Sequence, residues 1–165
     1  MPYDVQIDRL PIFALFDLKG PSGALAAWAG GALPTLPGAP NTLSRVEGAV
    51  LCHLGPERWL LRADIGAEPG LEAALRPGLA PPEISIVKVS DTLRFFRVTG
   101  ADAAEVVSIG CPLDLHPRVY GADAVSYTEF FGLKAFVLRC DGGFEVAVEQ
   151  SFGDMIADYL ARAMA

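Results

Sequence analysis

Phe96-Arg97-Val98-Thr99-Gly100 reads as the end of a strand closed by a glycine, and the same pattern occurs earlier as Phe16-Asp17-Leu18-Lys19-Gly20. The two runs stand 80 positions apart. At that displacement Ala24 falls on Ala104, Gly30 on Gly110 and Leu33 on Leu113. Each half then continues with a glycine-turned hairpin and a helix, over residues 49–76 and 135–162. The chain is therefore expected to hold pseudo-repeats at 12–76 and 84–163 within one domain spanning 1–165. Two copies are too few for a stacked repeat array, which needs at least about three. Two copies around one shared core are expected instead. The fold class is α+β, built from duplicated β-α-β-β-α subdomains.

Working outward, residues 1–10 read as a loosely held arm. Residues 12–19 are aromatic and branched, hence a strand. Gly20-Pro21 ends it, and Ser22 is placed to cap a helix reaching about residue 29. Pro34, Pro37 and Pro40 mark residues 31–41 as a loop. Strands follow at 42–46, 49–54 and 59–62, and Pro69 suits the first turn of a short helix. In the second half, 84–89 and 93–98 read as strands. Asp102 with Glu105 forms an acidic capping box for a helix ending near Ile109. Strands are expected at 125–131 and 135–140, then a hairpin turn at Asp141-Gly142-Gly143. Phe144, Val146 and Val148 alternate with Glu145, Ala147 and Glu149, the pattern of a half-buried strand. Ser151-Phe152-Gly153-Asp154 opens the last helix, with Phe152, Met155, Ile156, Tyr159, Leu160 and Ala163 inward.

Composition narrows the function classes. The chain has 165 residues, 52% hydrophobic and 20% charged, which excludes disorder as the main state. Its net charge of −7 argues against nucleic acid and against an anionic membrane surface. No run of about 18 apolar residues is present, so no membrane-spanning helix is expected. Met1-Pro2-Tyr3-Asp4 has no positive start, and no signal peptide is expected. Three cysteines, Cys52, Cys111 and Cys140, are widely spaced and read as reduced thiols in a cytoplasm.

Usual catalytic patterns are missing. Gly20-Pro21-Ser22-Gly23 lacks the spacing of a nucleophile elbow. No phosphate loop, dinucleotide fingerprint or metal-ligand spacing occurs, so no catalytic, cofactor-binding or metal residue is assigned. The densest chemistry lies in Gly110-Cys111-Pro112-Leu113-Asp114-Leu115-His116-Pro117. Pro112 and Pro117 each push the preceding residue toward extended or turn backbone, so this stretch is a rigid arm between helix and sheet. Leu113 and Leu115 would anchor it, while Asp114 and His116 satisfy nearby backbone groups. His53, in an apolar strand, reads as a hydrogen-bonded structural histidine. Arg94 and Arg97 read as the solvent face of a strand, and Trp28 and Trp59 as core.

From Gly100-Ala101-Asp102-Ala103-Ala104-Glu105 into the arm Gly110 to Pro117, the chain resembles the gamma subunit of heterotetrameric sarcosine oxidase. Leu54-Gly55-Pro56-Glu57-Arg58-Trp59-Leu60-Leu61 and Val87-Lys88-Val89-Ser90-Asp91 resemble further segments of that family in order. Thr128 and Gln150-Ser151-Phe152 do so as well. The resemblance spans residues 11–163. It departs at Lys88, where the family has aspartate, and at Glu129, where arginine is common.

That family is similar in turn to the folate-binding domain of aminomethyltransferases. The resemblance implies two like subdomains that exchange strands. The folate site of those enzymes uses a pair of aspartates after two glycines. Asp141-Gly142-Gly143-Phe144-Glu145-Val146 lacks that pair, so folate chemistry is not expected on this chain. The resemblance also implies a non-catalytic assembly subunit in oxidative demethylation of sarcosine. FAD, FMN, NAD and tetrahydrofolate would sit on partner subunits, with the alpha subunit as the main partner. A stand-alone protein binding a folate-like or other small anion is the alternative, and an independent aminomethyl-transfer enzyme is a third.

Overall fold

The computed structural model describes residues 3–164. In chain order the elements are β1 (Gln6–Arg9), β2 (Phe13–Lys19), α1 (Ser22–Ala29), β3 (Thr42–Val46), β4 (Ala49–Gly55), β5 (Arg58–Asp64) and α2 (Glu68–Leu75). Then come β6 (Ser85–Lys88), β7 (Leu93–Thr99), α3 (Ala103–Gly110), β8 (Val125–Phe130), β9 (Leu133–Cys140), β10 (Gly143–Glu149) and α4 (Gly153–Ala163). Among the described residues they form two compact units: a first of Ile12–Asp91, and a second of residues 3–11 with 92–164.

Each unit has its own five-stranded antiparallel sheet, ordered β3-β4-β5-β2-β6 in the first and β8-β9-β10-β7-β1 in the second. The duplication extends to register. Lys19 faces Arg58 and Ser85, as Thr99 faces Gly143 and Gln6. Three strands separate the two helices of each unit, as the strand-by-strand reading expected and one more than the β-α-β-β-α shorthand counts.

The edge strands are exchanged. β1 precedes β2 yet pairs with β7, and β6 precedes β7 yet pairs with β2. The expected loose arm at 1–10 is thus partly a strand, held by a ladder from Gln6↔Thr99 to Arg9↔Phe96. Met1 and Pro2 lie outside the described residues.

The matched glycines follow from this exchange. Gly20 and Gly100 end the central strands at φ of 130° and 124°, a region that side-chain-bearing residues avoid. A Cβ on Gly20 would lie 2.6 Å from the Glu83 carbonyl oxygen, and one on Gly100 would lie 2.3 Å from that of Asp4. In both units, the segment leading into the exchanged strand crosses directly over the glycine.

The expectation of one shared core gives way to a buried apolar cluster in each unit. The first gathers Phe16, Leu18, Leu25, Leu51, Trp59 and Leu61; the second gathers Phe96, Val98, Val106, Phe144, Val146 and Ile156. In each, alternate residues of the central strands face the helices, as the period of two requires.

Several local expectations are corrected. β10 is not half-buried: Glu145 and Ala147 are as buried as Phe144 and Val146, and only Glu149 is exposed. The Asp102 carboxylate does not cap α3; it accepts the Asp4 backbone N–H at 2.7 Å and so ties down the chain ahead of β1. Ser22 is the first residue of α1 rather than its cap, and Pro21 takes that place without a side-chain bond. Ser151 donates to Glu149 instead of capping α4, and Phe152 is 37% exposed rather than in the core. Trp28 is only partly buried; its indole donates to the Leu75 carbonyl at 2.6 Å beneath the Arg76 guanidinium.

Candidate functional site

Two places concentrate chemistry, one in each unit. In the second unit, the arm leaves α3 at Cys111 and returns to the sheet at β8. Cys111 and Leu115 are buried, Leu113 is half-buried, and Pro112, Asp114, His116 and Pro117 are exposed. Asp114 accepts the His116 backbone N–H at 3.0 Å, and His116 Nδ1 accepts that of Arg118 at 3.2 Å. These bonds tie the arm to itself. Burial holds the Cys111 thiol above its ordinary value, so it stays protonated near neutral pH. Among the described residues, no group of three or more His, Cys, Asp and Glu could hold a metal.

The second anchor of the arm is Tyr120, which the sequence reading missed within Arg118-Val119-Tyr120-Gly121. Its ring lies 6.3 Å from that of Phe144, and its hydroxyl donates to the Val137 carbonyl at 2.5 Å. Leu115→Ala is expected to cost about 2–5 kcal/mol in urea denaturation, since Leu115 is 3% exposed in a packed cluster. Tyr120→Phe should cost about 1–3 kcal/mol by leaving a buried carbonyl short of a donor.

Arg97 is not simply a solvent-face residue. Its guanidinium donates to Glu145 Oε1 at 2.7 and 3.1 Å, and this pairing raises its already high pKa. Glu145 itself is only 1% exposed. The glycine turn that would be compared with a folate site therefore leads into core at Phe144 and into an ion pair at Glu145, which does not fit a ligand-binding carboxylate.

In the first unit, Lys88 stands where the resembled family has aspartate. It lies 2.7 Å from Glu72 and 3.6 Å from Glu68, and the Glu72 hydrogen bond raises its pKa. Ser90 donates to Glu68 and accepts the Leu15 N–H at 3.1 Å. The lysine thus neutralises two carboxylates of α2.

The same unit contains a cavity of about 540 Å³ between the start of α1, the loop at 33–38, and the sheet. Leu33, Pro34, Leu36, Ser22, His53 and Trp59 contribute to its wall. The His53 and Trp59 rings stack at 4.8 Å and 21°. Both residues are more than nine-tenths buried, yet His53 Nδ1 and Trp59 Nε1 lack a hydrogen-bond partner among the described residues. The reading of His53 as a hydrogen-bonded structural histidine is corrected at that atom. Facing strands bring the pair together, since His53 on β4 lies opposite Trp59 on β5.

This architecture is shared with known proteins. The family described as sarcosine oxidase, gamma subunit family, matches residues 20–165. The chain belongs to the sarcosine oxidase gamma subunit family. Sarcosine oxidase subunit gamma of Corynebacterium sp. (strain U-96) is 28% identical over 142 residues, 86% of this chain and 67% of that relative. The subunit gamma of Corynebacterium sp. (strain P-1) is 29% identical over 147 residues, 88% and 70% of the two chains.

Among solved structures, the heterotetrameric sarcosine oxidase from Corynebacterium sp. U-96, in complex with pyrrole 2-carboxylate, matches with a TM-score of 0.85 and 26% identity. That match covers 97% of this chain and 83% of the other. Aminomethyltransferase T of the glycine cleavage system from Bartonella henselae matches with a TM-score of 0.67 at 16% identity, over 96% of this chain and 46% of that one. The latter likeness establishes the fold alone.

Proposed function

We propose that this chain is a non-catalytic assembly subunit of a sarcosine-oxidase-like flavoenzyme complex in the cytoplasm. It takes part in oxidative demethylation of sarcosine only as a component. The match to a chain of heterotetrameric sarcosine oxidase along 97% of this chain carries the reading. The site chemistry agrees with it: Cys111 is a buried, protonated thiol, Glu145 is held by Arg97, and Asp114 and His116 are occupied with the arm's own backbone. None of these groups is arranged as a nucleophile with a base beside it. FAD, FMN, NAD and tetrahydrofolate belong on the larger subunits in this reading. The arm from Gly110 to Pro117 serves as a rigid family signature of the second unit, and the alpha subunit is the principal partner. Residues 1–165 act as one domain in the complex.

Exposed apolar side chains on the second unit supply material for an interface: Ile109, Val119 and Tyr127 are 50%, 66% and 49% exposed. Mixed with its cognate larger subunits, the chain is expected to form a complex stable to gel filtration, burying more than about 1,200 Å². Alone it is expected to be colourless, inactive on sarcosine, and without micromolar affinity for tetrahydrofolate by calorimetry. Failure to assemble, or tight folate binding by the isolated chain, would overturn this reading.

A further inference from the structure

The internal duplication gives the cavity of the first unit a counterpart in the second. Trp59 faces Leu18 across its ladder as Phe144 faces Val98, and His53 faces Trp59 as Arg139 faces Phe144. Against Phe144, the second unit packs its own arm. The Tyr120 phenol lies beside the Phe144 ring and Leu115 joins the same cluster. The first unit has no such plug. Its corresponding segment, Leu33-Pro34-Thr35-Leu36-Pro37-Gly38-Ala39-Pro40-Asn41, contains no aromatic residue. The space beside Trp59 is a cavity of about 540 Å³, within the size range of small-molecule sites.

The lining sets the chemistry of an occupant. Trp59 and His53 stack on each other at the cavity wall, and a planar ring fits beside such a pair in an edge-on arrangement. Trp59 Nε1 is a buried donor without a partner among the described residues, so an oxygen on that ring would satisfy it. No Lys, Arg, Asp or Glu lines the cavity, and a charged occupant would have no counter-charge there.

We propose that this cavity binds an uncharged planar ring bearing a hydroxyl or carbonyl oxygen, a phenol-like group in the place that Tyr120 fills in the second unit. The ring packs edge-on beside the His53–Trp59 pair, and its oxygen, lying in the indole plane, accepts the Trp59 N–H. The same chemistry can come from a free small molecule or from a tyrosine of a partner subunit.

The test is a titration of p-cresol into the full chain, followed through the two tryptophan indole N–H resonances. The Trp59 resonance is expected to shift saturably, with a Kd of about a millimolar or below. The Trp28 resonance should stay, because its N–H is held by the Leu75 carbonyl. Ala26→Phe, from an exposed position of α1 on the cavity wall, should weaken binding at least about tenfold while leaving the circular dichroism spectrum intact. The non-planar 4-methylcyclohexanol should bind at least about fivefold more weakly. Repeating the titration on the assembled complex separates the sources: retained binding indicates a free molecule, and lost binding a partner ring. No saturable shift at Trp59, or equal binding by Ala26→Phe, would overturn the proposal. The free chain is read first, so the result stands whether or not assembly succeeds.

Discussion

Gly143→Ala should be the most damaging single methyl in the chain, costing about 4 kcal/mol or more. A Cβ there would lie 2.0 Å from the Val98 carbonyl oxygen and 2.9 Å from Thr99 Cα. Both obstacles are backbone atoms of β7, so no side-chain rotation relieves them. β10 pairs with β9 on its other edge, and moving it away from β7 would disturb that ladder too. Gly100→Ala should approach the same cost by a different route. It adds a Cβ 2.3 Å from the Asp4 carbonyl oxygen at a φ of 124°, a strain worth about 1–3 kcal/mol before the clash is counted. Gly121→Ala is the control: its nearest contact would be Asp123 at 3.7 Å, and its effect should stay within about 1 kcal/mol. Urea denaturation followed by far-ultraviolet circular dichroism measures all three. A Gly143→Ala midpoint close to that of Gly121→Ala would refute the close approach of β7 and β10.

Arg97→Met should cost about 2–3 kcal/mol, less than for a fully buried pair because the Arg97 side chain is 45% exposed. The loss arises at Glu145, whose 1%-exposed carboxylate would give up the guanidinium that donates to it twice. The pH dependence identifies the mechanism. Without Arg97, burial raises the folded-state pKa of Glu145 above its unfolded value. A group of that kind favours folding while it is protonated, and that contribution is lost as pH rises through the folded pKa. The penalty of Arg97→Met should therefore be largest near neutral pH and shrink on acidification toward pH 5. Adding Glu145→Leu should recover most of the loss, because removing both charges leaves no carboxylate to desolvate. A penalty independent of pH would assign the effect to lost packing of the arginine stem.

Assembly and the p-cresol site probe other parts of the molecule. The first reads the exposed surface and the second reads the interior of one unit, so neither outcome determines the other.

The sequence by itself determined the duplication, the α+β class, the order of most helices and strands, and the family. Those features rest on local, repeated patterns: the strand closed by Gly20 or Gly100, the hairpin glycines, and the arm with its two prolines. The resemblance implied that strands would be exchanged, but which strands cross over was decided only in the tertiary structure. β1 and β6 are four-residue strands, and nothing within four residues states whether the neighbouring or the distant central strand will receive them. The burial of Glu145 likewise depends on Arg97, 48 positions away; alternation alone placed both on the solvent face. The capping box failed because Asp102 found the Asp4 N–H, 98 positions distant, rather than its own helix. Tyr120 became a core plug through Phe144 and Val137, although its neighbours Arg118 and Val119 are exposed. The cavity beside Trp59 exists because the equivalent loop carries no such ring. In each case a short-range pattern set the element, while a long-range contact, with its burial and hydrogen bonds, set the fate of the side chain.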